Sequence, residues 1–390
     1  MAGLHGIPPF ALERYFARWE FAVQHVLCAS DVEGWPLQEL LALADDDARE
    51  RWDRLALGYT ESNGLPALRV EIAREYATLA ADDVLVCAGA EEAILLAAHA
   101  MLAPGDHAVV VVPAYQSLYA VARAAGAEVT TVALAPSDWS LDLAAVRAAI
   151  RPRTRLLVVN FPHSPTGALI DRTMLRELVA LAEHQGAWLL SDEVYRGLEL
   201  EAGARLPCAA DLSPRAVSIG VMSKTYGLAG LRIGWIATRD AALRMRLAAL
   251  KDYTTICNAA PSEVLALIAL RARERVIERS MTIIRGNVAL VDAFVRRHAE
   301  RVAWVPPRAG SVAFPRLREE DAEAFGDALV REAGVLLLPG ALFDLPGGHF
   351  RIGLGRRDLP DGLARLEEFM RTHPRVGASA GAVAGTNDQR

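Results

Sequence analysis

The sequence predicts an α/β fold, with a large domain built on a mostly parallel, seven-stranded sheet and a smaller α+β domain following it. Three observations lead there. Seven short apolar or β-branched runs between residues 83 and 238 alternate with segments of helical length. The runs are continuously apolar rather than alternating, which is the pattern of strands covered on both faces. Beyond Tyr253 strands and helices segregate instead of alternating.

The strand-like runs fall at 84–87, 108–112, 129–134, 155–160, 187–191, 216–222 and 232–237. Ala-, Leu- and Arg-rich segments such as 92–102 and 172–184 read as the helices between them. A long helical stretch follows at 262–298, broken once. Short strands are then expected at 302–305, 311–317, 335–338 and 350–353, with helices at 321–332 and 359–371. The predicted organisation is an N-terminal arm over 1–42 that packs on the small domain, a large domain over 43–258 and a small domain over 259–375. The Gly/Ala/Ser-rich stretch 376–390 has no periodicity and is expected to be disordered. No internal repeat is present.

Composition narrows the class. The 390 residues are 52% hydrophobic and 23% charged, as in a soluble globular protein. A net charge of −6, with basic residues interspersed among acids, gives no footprint for nucleic acid or an anionic membrane. The four cysteines have neither the spacing nor the histidine company of a metal site. They read as small buried hydrophobes in a reducing compartment. No run of 18 uninterrupted apolar residues exists, and residues 1–9 lack the pattern of a signal peptide. The expectation is a soluble, cytoplasmic protein without metal, nucleic-acid or membrane partners.

The chemistry starts from a lysine. Only Lys224 and Lys251 stand among forty arginines, and Lys224 lies in Ser223-Lys224-Thr225-Tyr226-Gly227-Leu228-Ala229-Gly230-Leu231-Arg232-Ile233-Gly234. Arginine cannot replace a lysine that must lose its proton and attack a carbonyl. Lys224 is therefore the candidate nucleophile. Gly89-Ala90-Glu91 follows a strand and opens a helix, a place where backbone N–H groups accept an anion. Asp192 ends an apolar run, where an aspartate also serves as a helix cap. Taken alone, Tyr115 reads as core, Arg351 as a strand-surface arginine, and the Asn160 loop with its prolines as structural.

Taken in register, these stations resemble the fold-type-I, class I and II aminotransferases that use pyridoxal 5′-phosphate. The resemblance runs from about residue 57 to 355. It implies the transferase fold of that family and a Schiff base between Lys224 and the cofactor. Gly89, Ala90, Glu91, Ser223 and Arg232 would hold the phosphate. The family often has a serine or threonine three residues before the lysine, where this chain has Val221. Asp192 would pair with the pyridine nitrogen, Tyr115 would stack on the ring, and Asn160 and Tyr195 would meet its phenolic oxygen. Arg351 would grip the substrate carboxylate together with Asn160, and Tyr59 would reach the phosphate of a neighbouring protomer, making a homodimer with shared sites.

By that resemblance the reaction is transfer of an amino group from an L-amino acid to a 2-oxo acid. The runs 157–167 and 223–235 are also similar to the capreomycidine-synthase-like branch, which implies the alternative of a cyclase or lyase acting on an arginine-like amino acid. A non-catalytic, cofactor-binding sensor is a further alternative, against which stand the acidic charge and the lack of a helix-turn-helix pattern before residue 40. The first 40 residues carry no cofactor station. Their Trp19 and Glu20 are candidates for closing over a long or cationic side chain, or else for one face of a solvated amphipathic helix. His163 is read as an extra acid or base, or as a loop hydrogen-bonding group.

Overall fold

The computed structural model describes residues 6–373, so the stretch expected to be disordered, 376–390, lies outside the described residues. A seven-stranded sheet runs in the order Val84–Cys87, Gly234–Ala237, Ala216–Val221, Trp188–Asp192, Thr154–Asn160, His107–Val112, Glu128–Ala133. Gly234–Ala237 is antiparallel to both its neighbours, and the other strands are parallel. Successive side chains feed opposite faces: Ala108 and Val110 enter one core cluster, Val109 and Val111 another. The first core is completed by helix Ala90–Met101 and the second by helix Arg172–Gln185. The latter is bounded as its sequence dictates. The Asp171 carboxylate accepts the Met174 N–H at one end, and Gly186 takes the left-handed conformation at the other.

The later elements are shorter. Phe350–Gly353 is the middle strand of an antiparallel three, between Val312–Ala313 and Leu338–Pro339. The stretch expected as one strand at 311–317 is two. Pro315 offers no N–H to a ladder, so Arg316–Leu317 pairs instead with Val302–Ala303. Residues 335–338 divide in the same way, Val335–Leu336 pairing in parallel with His25–Val26 from the N-terminal segment. The long helix breaks at Ala272 into Ala260–Arg271 and Arg273–Arg297. The run expected from 232 becomes a strand only at Gly234, because a 3₁₀ turn over Ala229–Leu231 leaves Arg232 at φ 52°, outside any strand geometry. Among the described residues no helix is long and apolar enough to cross a membrane.

Candidate active site

Five parallel strands deliver residues to one edge of the sheet, around a cavity of about 580 Å³. Asn160 and Asp192 are register partners and the last residues of neighbouring strands. Asn160 Nδ2 donates to the Asp192 carbonyl at 2.9 Å, and its Oδ1 accepts the Ser164 N–H at 2.8 Å. Lys224, three residues past the strand Ala216–Val221, points its Nζ to the hydroxyl of Ser30 at 2.7 Å. Tyr195 donates from its hydroxyl to the Ser30 carbonyl at 3.3 Å. Asp192 is buried, and burial pushes its carboxyl up to about 7 against the opposing pull of the Val194 N–H and the Lys224 charge.

The anion end of the cavity follows from two glycines. Gly89, at φ +94°, is the residue before helix Ala90–Met101. A Cβ there would lie 2.7 Å from Arg232 Nη2, and one on Gly234 would lie 2.7 Å from the Gly89 carbonyl carbon. Glycine at both positions lets the guanidinium and the helix N-terminus converge. Ala90, Ser223, Arg232 and Val221 all line the cavity.

The N-terminal segment forms the opposite wall. Helix Ala11–Trp19 and its flanks present Phe10, Glu13, Phe16 and Glu20 to the cavity. The side chain of Gln116 fastens it, accepting the Ala11 N–H at 2.9 Å and donating to the Pro9 carbonyl at 3.0 Å. Tyr115 adds a hydroxyl bond to Glu13 at 2.6 Å and packs its ring 4.8 Å from that of Phe10. Arg351 is buried between Phe16 and Phe343, with Nε and Nη2 both on the Cys28 carbonyl at 3.0 and 2.8 Å. Its Nη1 forms no hydrogen bond among the described residues.

Five carboxylates line the cavity, Glu13, Glu20, Asp31, Glu91 and Asp192, against Lys224, Arg232 and Arg351. Asp31 is paired with Arg356. Among the described residues Glu13, Glu20 and Glu91 make no ion pair, and Glu91 Oε1 is buried without a hydrogen-bond partner. Burial raises the Glu91 and Glu20 carboxyls above their ordinary range, with Asp31 and Glu13 adding to the effect at Glu20.

Not every candidate reaches the cavity. Trp19 turns away from it and lies between Arg18 and Arg331, because adjacent helical residues point about 100° apart. Of these two candidates only Glu20 lines the cavity. His163 is fully buried, bonded through Nδ1 to Thr166 Oγ1 at 2.7 Å, and pulled down to about 3 by burial. It does not line the cavity, and its Nε2 is buried without a hydrogen-bond partner among the described residues. Tyr59 is 91% exposed and outside the cavity of its own chain. Ser30, Glu13 and Gln116 were not singled out by sequence. Only Glu13 carried a signal, as the i+3 neighbour of Phe10 and Phe16.

Residues 26–360 match the family model for aminotransferase class I and II. The chain belongs to that family. It is 33% identical to capreomycidine synthase of Streptomyces vinaceus over 382 residues, 96% of this chain and 97% of that protein. A PLP-dependent aminotransferase from Streptococcus suis superposes with a TM-score of 0.88 at 31% identity, covering 94% and 98% of the two chains. The PLP-dependent cyclase OrfR superposes with a TM-score of 0.85 at 30% identity, covering 93% and 97%. As a member of the family the protein is a pyridoxal-phosphate-dependent enzyme, and its residues fit that cofactor. The glycine-walled turn beside Arg232 has the donors a phosphate needs, and the buried Asp192 carboxyl makes no ion pair among the described residues, a contact that a protonated ring nitrogen would give.

Proposed function

We propose that this family member transfers the amino group of an L-amino acid with a cationic side chain to a 2-oxo acid, with Lys224 as the cofactor-bearing and proton-moving residue. The observation that carries the substrate class is the wall of unpaired carboxylates, Glu13, Glu20 and Glu91, facing the cavity. Carboxylates that lack an ion-pair partner of their own are relieved by a cationic ligand.

The roles divide along the cavity. Bound pyridoxal phosphate supplies an electron sink for the carbanion formed at the substrate Cα. The Gly89–Ala90 turn, Ser223 and Arg232 hold the phosphate, and Asp192 holds a proton on the ring nitrogen. Tyr115 covers one ring face, and Asn160 and Tyr195 serve the phenolic oxygen. Arg351 takes the substrate carboxylate through Nη1 while the Cys28 carbonyl fixes its other edge. Freed from the cofactor, the Lys224 amine would take the proton from the substrate Cα and deliver it to the cofactor's C4′ carbon, with Ser30 as its hydrogen-bond partner. Leu57, Tyr59 and Tyr253 are 84%, 91% and 90% exposed, large apolar side chains suited to contact with a second copy that would bring its own Tyr59 to the site.

A second reading is favoured by the 33% identity to capreomycidine synthase over nearly the whole chain: cyclisation of an arginine-like amino acid with the same residues. One experiment separates the two. Holoenzyme is mixed with arginine, a hydroxylated arginine, lysine, alanine or glutamate without an acceptor, followed by absorbance and by mass spectrometry of the products. Transamination gives the pyridoxamine form and a keto acid, fastest with arginine or lysine. Cyclisation leaves the cofactor as it was and yields a cyclic amino acid from a hydroxylated arginine. Faster reaction with alanine and glutamate would overturn the cationic-substrate reading.

A further inference from the structure

We propose that Glu92 and Lys251 are positioning residues for the anion-binding turn, joining it through a buried polar chain to the outer loops that carry Tyr59 and Tyr253. The proposal rests on the reading that the cofactor phosphate occupies the turn at Gly89 and Ala90. Neither residue lines the active-site cavity, and both are more than nine-tenths buried.

Glu92 is the third residue of helix Ala90–Met101. Its carboxylate reaches back to accept the Ala88 N–H at 2.6 Å, the amide next to Gly89. A carboxylate at this position bonded to the backbone before the helix fixes the angle at which the chain enters. The N–H groups of the first helical turn have no intrahelical acceptor and remain for the anion. The same carboxylate also accepts the hydroxyls of Thr254 and Thr255, the latter at 2.8 Å. One side chain therefore sets both the turn and the loop after helix Ala241–Lys251.

Lys251 continues the chain. Its Nζ donates to the carbonyls of Ser62 at 2.5 Å and Ile256 at 3.4 Å, and its own carbonyl accepts the Thr254 N–H at 3.0 Å. Ile256 is held at φ 64°, a conformation that a β-branched residue adopts rarely. A second bond, from Thr60 Oγ1 to the Asn258 carbonyl at 3.1 Å, ties the same two loops. A compact ammonium can gather carbonyls from two loops, whereas a planar guanidinium cannot converge on them in the same space. That accounts for a buried lysine in a chain whose other cations, Lys224 apart, are arginines.

The test uses full-length apoprotein titrated with pyridoxal phosphate and, separately, with pyridoxal, which lacks the phosphate. Wild type is compared with Glu92→Gln, Lys251→Met and the pair together, and melting curves are recorded for each. The expected result is a loss of about tenfold in affinity for pyridoxal phosphate in each single variant. Affinity for pyridoxal should change by less than about twofold, and the double variant should be little worse than either single one. If Lys251→Met fails to fold, Thr254→Val combined with Thr255→Val cuts the same link without stranding a lysine partner. Equal losses for the two ligands, or no loss, would overturn the proposal while leaving the phosphate reading intact. Wild type that binds both ligands equally well would overturn the phosphate reading, and the proposal with it.

Discussion

At Asp192 a carboxyl group is buried beside Lys224 and held up to about 7, where its ordinary value is 3.8. The folded, cofactor-free chain therefore binds one more proton than the unfolded chain between those values. The Asp192 contribution to stability therefore falls as pH rises from about 4 to about 7, and stays lost above that. Asp192→Asn removes the titrating group. Cofactor-free Asp192→Asn should lose this part of the slope and exceed wild type at pH 8 by roughly 2–4 kcal/mol in urea unfolding. An unchanged slope would place the proton elsewhere. In the holoenzyme the same substitution should lower turnover by about 10²–10³-fold, since it removes the charge that keeps the ring nitrogen protonated. Near-normal turnover would make the carboxylate structural.

At the scale of elements, the phosphate turn and the N-terminal helix carry separate predictions. Gly89→Ala forces a side chain into φ +94° and onto the Arg232 guanidinium, so cofactor affinity should fall by about tenfold or more. Equilibrium dialysis against pyridoxal phosphate measures it. On the arm, Glu13→Gln and Glu20→Gln should raise KM for arginine severalfold with little effect on alanine, a loss of binding common to ground and transition states. Equal effects on both amino acids would return these carboxylates to a structural role. Much of the sheet and its edge residues could be read from sequence because apolar runs, a glycine turn and a lone lysine are local signals. At Arg232 and in the segments around Pro315 and Leu337, backbone conformation and the choice of partner strand override the apolar pattern. Ser30 and Gln116 were not legible at all. Their partners lie 194 and 105 residues away, and nothing in either local sequence records that.

For the whole molecule two requirements follow. Tyr59 stands outside its own cavity, so a second copy must use it if it serves the phosphate. Mixing Tyr59→Phe chains with Lys224→Ala chains should then restore activity, because each heterodimer contains one undamaged site. Continued inactivity, or a monomer by sedimentation, would contradict sharing. The second requirement is that Lys224 carries the cofactor, and the composition makes it decidable in one step. The chain has two lysines, one at the cavity and one buried beneath the outer loops. Holoenzyme reduced with borohydride and digested should yield one modified peptide, labelled at Lys224, with Lys251 unmodified. A label on Lys251, or none on either lysine, would contradict the account at its centre.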